Sequence, residues 1–252
     1  MSRVQSVERA FIILNVLASH PKGISITRLA ERVDLPVSTV SRLLLTLESL
    51  RAVEHIGNRE GYRIGTGIID LATRASFPEY LIKQARPTLK KLAKRTGETV
   101  TLSVPDGKQT LCLDEVPGNH HLQTQNWVNR HYPLHLSSDG KLILAAWSPD
   151  ELELYLADDL DCPTPASLCE PQRLREAIAD AKDKQHAWAW EEFEVGIVDV
   201  AAAIRDANEQ IVATIGISGP SFRFPPQGQK EKIAQMIVEA AQQISDTIQN
   251  NR

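Results

Sequence analysis

The sequence predicts an α+β fold made of a small helical N-terminal domain and a larger domain of antiparallel strands and helices. In the first 50 residues, apolar side chains recur every three or four positions, which is the spacing of amphipathic helices. Beyond Gly97 the spacing changes to two, which is typical of half-buried strands. Four segments show this alternation: residues 99–104, 110–116, 199–205 and 211–218. A chain of 252 residues is long enough for two domains, each with its own core.

Three short helices are predicted in the N-terminal domain. The first spans residues 6–20, and the second spans residues 25–33 with Ser25 as its expected N-cap. The third spans residues 36–50, with Pro36 at its first helical position. The residues expected on the buried faces of the first and third helices are Val7, Ala10, Phe11, Leu14, Leu17, Val37, Val40, Leu43, Leu44, Leu47 and Leu50.

The third helix carries a polar face near its N-terminus that suits contact with DNA. Ser38, Thr39, Ser41 and Arg42 lie there, opposite the apolar stripe. Short hydroxyls and a planar guanidinium are groups that contact phosphates and base edges in a major groove. The segment is therefore predicted to be the recognition helix of a helix-turn-helix.

Two short strands follow this helix and are predicted to form the wing of a winged helix. Residues 53–56 and 62–65 flank a turn rich in Gly and Asn, as the strands of a hairpin do. Arg59 at the tip and Arg63 beside it are expected to face a minor groove or a phosphate. The complete set of predicted DNA-binding residues is Ser25, Thr27, Ser38, Thr39, Ser41, Arg42, Arg59, Tyr62 and Arg63.

The charge is distributed unevenly along the chain. The net charge is -4, but residues 1–66 hold nine Lys/Arg and six Asp/Glu, and the remainder holds nineteen and twenty-six. Residues 1–66, called the head below, have a net charge of +3, and the rest of the chain has a net charge of -7. This difference fits a DNA-binding domain joined to an acidic domain. Because +3 is only mildly basic, one head is expected to bind weakly, and dimerisation would add phosphate contacts on a near-palindromic site.

Other features restrict the class of protein. No apolar run approaches the length of a membrane span, and no signal peptide is evident, so the chain is expected to be cytoplasmic. The three cysteines, Cys112, Cys162 and Cys169, lack CxxC spacing, which makes a disulfide scaffold or a structural zinc site unexpected.

The larger part of the chain alternates helices with strands. A linker helix is expected to end near Phe77-Pro78, and Pro87 is expected to kink or re-cap the helix that follows. Residues 158–171 are acidic and rich in proline, and are predicted to be a loop. Further helices are predicted at residues 80–95, from Lys141, and at 150–156, 172–185 and 229–249.

In its motifs the chain resembles the IclR (isocitrate-lyase regulator) family of bacterial transcription factors over essentially its full length. The order and spacing of these motifs carry the resemblance. In the N-terminal domain they are Leu35-Pro36-x-Ser38-Thr39-Val40-x-Arg42-Leu43-Leu44 and Tyr62-Arg63-Ile64-Gly65. In the larger domain they are Gly140-Lys141, Glu194-x-Gly196, Ala201-Ala202-Ala203-Ile204 and Ile215-Gly216-Ile217-Ser218-Gly219-Pro220.

The resemblance implies a domain plan and a function. Residues 1–66 would be a winged helix-turn-helix, residues 67–78 a linker helix, and residues 79–252 a GAF-like domain that binds a small organic effector and oligomerises. Such regulators are repressors or activators that work as dimers or dimers of dimers, often on adjacent catabolic operons. No catalytic activity, cofactor or metal is implied.

The resemblance also assigns positions to the effector pocket. They map to Leu122, Tyr132, Ser138, Asp139, Gly140, Ala189, Asp199, Gly216 and Ser218. The backbone N–H groups that open the helix at residues 138–141 would form an anion site. Trp147, Trp188 and Trp190 are candidates for an aromatic wall, and they fit equally well as core or interface residues.

Two positions depart from the family pattern. Asp199 stands where many members have Cys, and Asp139 stands where a small apolar residue is common. Two carboxylates would repel an anionic effector unless they are protonated or paired. The expected effector therefore carries hydrogen-bond donors or positive charge, or is an aromatic acid whose carboxylate lies away from Asp199.

Two alternative functions also have candidate residues in the sequence. An enzyme using His131, His135 and a Cys112 or Ser137 nucleophile is disfavoured, because Pro133 separates the histidines and no hydrolase or metalloprotease motif is present. A metal- or redox-responsive regulator is the stronger alternative. It would use Asp199 with one of the histidines as metal ligands, or Cys162 and Cys169 as a reversible disulfide.

Overall fold

The computed structural model describes residues 4–57, 61–74 and 77–250. The chain forms two compact units, Met1–Phe77 and Pro78–Arg252. Within the described residues, no helix is long and apolar enough to cross a membrane. Each unit has its own hydrophobic core.

The first unit is a three-helix cluster followed by a small hairpin. Its elements are α1 (Gln5–Ala18), α2 (Ile26–Arg32), α3 (Val37–Ser49), β1 (Val53–His55), β2 (Tyr62–Ile64) and α4 (Thr66–Arg74). β1 and β2 are antiparallel, and Ile24 makes an isolated antiparallel bridge to Tyr62. At Gly61 a Cβ atom would lie 2.2 Å from the Ile24 carbonyl oxygen, so this close approach requires glycine. The predicted wing is therefore tied to the body of the domain.

The start of α2 agrees with the prediction, and the start of α3 differs from it by one residue. The side chain of Ser25 accepts a hydrogen bond from the Arg28 N–H, which confirms the predicted N-cap of α2. Pro36 is not the first helical residue. It is the N-cap of α3 with extended backbone angles (φ -56°, ψ 139°), and the helix begins at Val37.

The predicted buried faces of α1 and α3 need correction. Val7 and Phe11 are 54% and 63% exposed, whereas Ile13, which was not predicted, is fully buried. α1 carries two apolar stripes, and only one of them faces the core. On α3, Val40, Leu44 and Leu47 are buried as predicted, but Val37 and Leu50 at its two ends are exposed because the core does not reach them.

The second unit is built on a six-stranded antiparallel sheet in the order β5-β4-β3-β8-β7-β6. Its elements are α5 (Phe77–Thr96), β3 (Thr99–Asp106), β4 (Gln109–Val116), β5 (His131–Pro133), α6 (Ser138–Leu144), α7 (Pro149–Leu156), α8 (Pro171–Lys184), β6 (His186–Trp190), β7 (Ile197–Arg205), β8 (Ile211–Pro220) and α9 (Lys230–Asn250). α5 and α9 pack on one face of the sheet and form the main core. α6 packs against β6 and β7 on the other face.

Strand alternation decides which side chains reach the second face. On β7, Val198 and Val200 join the main core, so the intervening Asp199 points to the side of α6. On β8, Ile215 and Ile217 do the same, which places Gly216 and Ser218 beside Asp199 on the α6 side. The two-residue period of the strands thus places Asp199, Gly216 and Ser218 together on the α6 side of the sheet.

Several other predictions change in the second unit. Phe77 and Pro78 begin α5 and do not end the linker helix, and α5 continues through Pro87. The strands β5 and β6 were not predicted. Cys162 and Cys169 form a disulfide with a Cα–Cα distance of 5.9 Å. The cysteine spacing did not predict a disulfide, whereas the redox alternative named this pair. The segment between α7 and α8 is a loop, as predicted.

Candidate functional site

The first candidate surface is the N-terminal half of α3. Ser38 and Arg42 are exposed, and Thr39 and Ser41 are half-buried beside them. No ion pair or side-chain hydrogen bond of the Arg42 guanidinium is found among the described residues. Because the helix is anchored by Leu44 and Leu47 on its opposite side, this polar face is presented rigidly to solvent.

The wing residues have other roles besides a possible DNA contact. Arg63 donates to Glu54 on the neighbouring strand, with 2.5 Å between Nε and Oε1, so its charge is partly neutralised. Tyr62 is half-buried, packs against the core and makes an edge-to-face contact with His55 at 4.8 Å between ring centroids. The predicted tip residue Arg59 lies outside the described residues.

A basic depression beside α2 was not predicted from the sequence. It has a volume of about 690 Å³, and its lining includes Lys22, Ser25, Arg28 and Arg32. The predicted contact residue Thr27 is exposed in the first turn of the same helix. Lys22 precedes α2, Arg28 lies in its first turn and Arg32 ends it, and these three cations outnumber the one carboxylate of the lining, Glu31. Such a surface suits a phosphate backbone. The only sequence signal was the clustering of cations around the predicted N-cap.

The second candidate site is a pocket of about 330 Å³ on the α6 side of the sheet. Strands β3, β5, β7 and β8 contribute to its lining, together with α6, the loop between β4 and β5, and the turn between β6 and β7. Five of the nine predicted effector residues line it: Tyr132, Asp139, Asp199, Gly216 and Ser218. The volume is within the range of small-molecule sites.

The other four predicted residues lie around the pocket without lining it. Ser138 is buried and hydrogen-bonds to Asp199, and Ala189 is buried opposite Asp199 in the β6–β7 register. At Gly140 a Cβ atom would lie 2.0 Å from the Leu134 carbonyl oxygen, so this glycine allows close packing of α6. Leu122 is 58% exposed, and its carbonyl oxygen accepts a hydrogen bond from Arg223 at 2.8 Å.

Asp199 occupies the start of α6. Its Oδ2 accepts hydrogen bonds from the Ser138 N–H at 2.9 Å and from the Ser138 hydroxyl. Burial raises the pKa of Asp199 to about 7, opposed by these hydrogen bonds and reinforced by the nearby Asp139. The prediction of an anion site at residues 138–141 is therefore corrected, because the protein's own carboxyl group takes that position.

Asp139 is held by a chain of hydroxyls. The Tyr132 hydroxyl donates to Asp139 Oδ2 at 2.9 Å, and Ser103 bonds to the same hydroxyl at 2.8 Å. Burial raises the pKa of Asp139, against the effect of the Thr214 and Tyr132 hydroxyls. The Thr214 hydroxyl bonds to the Ser103 carbonyl oxygen, and Asp139 Oδ1 has no hydrogen-bond partner among the described residues.

The aromatic wall consists of different residues from those predicted. Trp127 and Phe193 line the pocket with their ring centroids 5.4 Å apart, edge to face. Trp188 and Trp190 stack on each other at 5.4 Å outside the pocket, and Trp147 packs on Tyr155. Trp127 and Phe193 lie in irregular segments, where no periodicity could mark them.

The histidines proposed for metal binding or catalysis have other hydrogen-bond partners, and the proposed cysteine is a poor nucleophile. His131 bonds to Asp106 at 2.7 Å, and both ring nitrogens of the buried His135 have partners, in Tyr155 and the Asp161 carbonyl oxygen. Burial raises the pKa of the Cys112 thiol to about 12, so it is a poor nucleophile. Across the described ranges, no cluster of three His, Cys, Asp or Glu suits a metal ion.

Comparison with known families decides the class of the protein. The model of the IclR helix-turn-helix domain matches residues 6–57, and that of the bacterial transcriptional regulator IclR C-terminal domain matches residues 79–246. The chain belongs to the IclR family. The predicted resemblance and the predicted α+β fold, with its winged helix-turn-helix and C-terminal domain, are confirmed.

Individual IclR-family relatives are similar to this chain over nearly its whole length. The HTH-type transcriptional regulator Rv1719 of Mycobacterium tuberculosis is 32% identical over 88% of this chain and 84% of its own. The transcriptional repressor IclR of Escherichia coli is 28% identical over 96% of this chain and 89% of its own. A crystal structure of an IclR homolog of Microbacterium hydrocarbonoxydans, complexed with 4-hydroxybenzoate, has a TM-score of 0.62 at 24% identity, covering 97% of this chain and 99% of that one.

The family assignment fixes the coarse function. The relatives and both domain models are transcriptional regulators, not enzymes. The helix-turn-helix domain is a DNA-binding domain, and the C-terminal domain is the effector-binding part of the family.

Proposed function

We propose that this protein binds a near-palindromic operator as a homodimer or dimer of dimers, and that a small organic molecule in the C-terminal pocket controls operator affinity. The observation that carries the proposal is the 330 Å³ pocket, because five of the positions assigned from the family line it. A repressor or an activator of a catabolic operon would both use such a site. The domain plan of residues 1–66, 67–78 and 79–252 belongs to the same proposal.

Base reading is assigned to the exposed face of α3. Arg42 is long enough to reach base edges, and Ser38, Thr39 and Ser41 suit short contacts to phosphates or bases. The basic depression beside α2, with Lys22, Arg28 and Arg32, would hold the phosphate backbone and set the register of α3.

A second copy of the chain would cover the exposed apolar stripe of α1. Val4, Val7 and Phe11 are each more than half exposed and repeat at helical spacing, although the domain has a complete core without them. A weakly basic head also gains from pairing, because a second head adds phosphate contacts at high effective concentration. In this scheme, ligand binding shifts the linker helix α4 and so alters the spacing of two heads.

A redox-responsive regulator is the second candidate, and one observation favours it. The loop closed by the Cys162–Cys169 disulfide hydrogen-bonds to the segment just before the pocket residue Phe193, since the hydroxyls of Thr164 and Ser167 donate to the carbonyl oxygens of Glu191 and Glu192. The metal-responsive version has no such support, because His131 and His135 are engaged with other groups.

Selection from genomic DNA tests the proposed function. Immobilised full-length protein would be incubated with sheared DNA of the encoding organism, and the retained fragments would be sequenced and footprinted. We expect enrichment of a short two-fold-symmetric sequence upstream of a catabolic operon. Retention without sequence enrichment would contradict the proposal. Repeating the binding with a dithiol reductant and with a Cys162→Ser, Cys169→Ser double variant tests the redox candidate, which requires a change in affinity on reduction of the wild type only.

A further inference from the structure

The charges around the pocket are one-sided. Asp139, Asp199 and Glu194 line it, and the lining found among the described residues includes no Lys, Arg or His. Lys141 lies close behind but is buried, with its Nζ 2.6 Å from Glu192 Oε1 and 2.8 Å from the Trp188 carbonyl oxygen. An anionic ligand would therefore enter the pocket without a free counter-charge, which is unfavourable in a poorly hydrated site.

Asp139 provides a second and independent indication. The residue is 5% exposed and lines the pocket, and its Oδ1 makes no hydrogen bond in the described part of the chain, although the Thr214 hydroxyl is close enough to stabilise its charged form. A buried acceptor without a well-placed donor is costly. A ligand N–H group would remove this cost, whereas a ligand carboxylate would add a second acceptor.

Asp199 leaves no room for an anion at the start of α6. The Ser138 N–H and hydroxyl, which would otherwise be donors for a ligand, are both used by Asp199 Oδ2. The other carboxyl oxygen of Asp199 makes no hydrogen bond among the described residues, and the side chain lines the pocket. The two Ser138 donors are thus directed at Asp199, while a carboxyl oxygen of Asp199 remains available to a ligand.

The aromatic lining suits a flat organic body. Trp127 makes edge-to-face contacts with Phe193 at 5.4 Å and with Tyr132 at 5.9 Å between centroids. Glu115 fixes the Trp127 backbone N–H at 3.1 Å, and the Arg130 guanidinium lies over the Trp127 ring at 5.9 Å. An aromatic ring or an ammonium group can contact such faces favourably.

We propose that the ligand of this pocket is a small aromatic amine, with its ammonium held by the Asp139 and Asp199 carboxyls and its ring against Trp127. This inference rests on the proposed function, because it assigns the chemical class of the effector in the same pocket. It selects one of the ligand classes that the sequence left open, the positively charged one, over an aromatic acid.

The proposal predicts a pH dependence. An ammonium binds the ionised form of Asp199, whose pKa burial raises to about 7, so binding releases a proton and strengthens between pH 6 and pH 8. The charged and titratable groups facing the pair are Lys141, Glu194, Tyr132 and Cys112; Lys141 favours ionisation of Asp199 and is itself paired with Glu192. An alkylammonium keeps its charge over this range, since its pKa is about 10.

Isothermal titration calorimetry on the full-length protein tests the proposal with two matched probes, 4-hydroxybenzylamine and 4-hydroxybenzoate. They share the phenol ring and carry opposite charges. At pH 8 we expect the amine to bind at least about tenfold tighter than the acid, and its affinity to fall about tenfold at pH 6. Asp199→Asn should weaken the amine at least about tenfold and remove the pH dependence, whereas Asp180→Asn on the exposed face of α8 should change neither.

Tighter binding of the acid, or no detectable binding of the amine, would overturn the ligand class. Equal affinity of the Asp199→Asn protein and the wild type for the amine would overturn the assigned contact. Neither result affects the operator selection, which needs no ligand. A failed titration with intact sequence-specific DNA binding therefore contradicts only this inference, and loss of DNA binding contradicts the proposed function.

Discussion

The N-terminal domain presents its functional groups on one exposed helix, whereas the C-terminal domain assembles its pocket from strands, a helix and loops between Thr101 and Ser218. On α3 the candidate contact residues are neighbours in sequence, and Arg42 is exposed to solvent. In the pocket, Asp139 and Asp199 come from different elements, and burial raises the pKa of both.

This difference separates two ways of recognising a ligand. The head attracts a highly charged polymer with exposed cations, so its contacts depend on salt and tolerate a hydrated surface. In the proposed function, the pocket recognises a small molecule with desolvated groups, where each unpaired donor or acceptor matters. Substitutions of the charged groups at and behind the pocket should therefore change stability, whereas substitutions of the exposed groups on α3 should change DNA affinity.

The largest expected effect tests the buried ion pair of the C-terminal domain. Lys141→Met leaves the Glu192 carboxylate buried without its partner, which should reduce the free energy of unfolding by about 3–5 kcal/mol. Urea denaturation followed by circular dichroism measures this loss. Lys184→Met removes an exposed partner of Asp180 and is the matched control, with little expected change. Equal stability of the two variants would show that the pair at α6 is not structural.

A smaller loss is expected from the core of the N-terminal domain. Leu44→Ala removes a fully buried side chain beneath the recognition face and should destabilise the domain by about 3 kcal/mol. Leu45→Ala, one position along the same helix, removes a side chain that is 61% exposed and should change stability little. Thermal unfolding of both variants compares them, and a larger loss for Leu45→Ala would mean that the register of α3 is wrong.

The smallest expected effect on the free energy of unfolding is that of Asp199→Asn, and it depends on pH. The pKa of Asp199 is about 7 in the folded protein and about 3.9 in an unfolded chain, so between these values the folded state holds a proton that the unfolded state has lost. Wild-type stability should therefore fall as the pH rises from 4 to 7. Asp199→Asn lacks this titration and should be more stable than the wild type by about 1–3 kcal/mol at pH 8, with the difference lost at pH 4.

Chemical denaturation of both proteins across this range measures the effect. A constant difference between the two proteins from pH 4 to pH 8 would contradict the assigned burial of Asp199.

The sequence predicted the head better than the pocket for a physical reason. In a helix that packs on one side, the buried apolar residues recur every three or four positions. The pattern therefore predicted Val40, Leu44 and Leu47 correctly. Val37 and Leu50 continue the same pattern past the ends of the core, and periodicity carries no information on where a core stops.

The pocket could not be predicted from local sequence patterns, because it depends on contacts between distant parts of the chain. Asp139 and Asp199 were found from the family resemblance, but the occupation of the α6 start by Asp199 depends on a pairing across the sheet. Trp127 and Phe193 lie in irregular segments, and the Ala-Trp alternation of β6 is only five residues long. Tertiary neighbours, not local propensity, decide these positions.

Operator affinity of two arginine variants tests the central claim, that the exposed face of α3 is the surface that reads DNA. Fluorescence anisotropy on the selected operator at one salt concentration would compare Arg42→Ala and Arg63→Ala with the wild type. Arg42 has no ion-pair partner among the described residues, whereas Arg63 is paired with Glu54. We expect Arg42→Ala to lose about 1–3 kcal/mol of binding free energy and Arg63→Ala to lose much less. Wild-type affinity of Arg42→Ala would contradict the account.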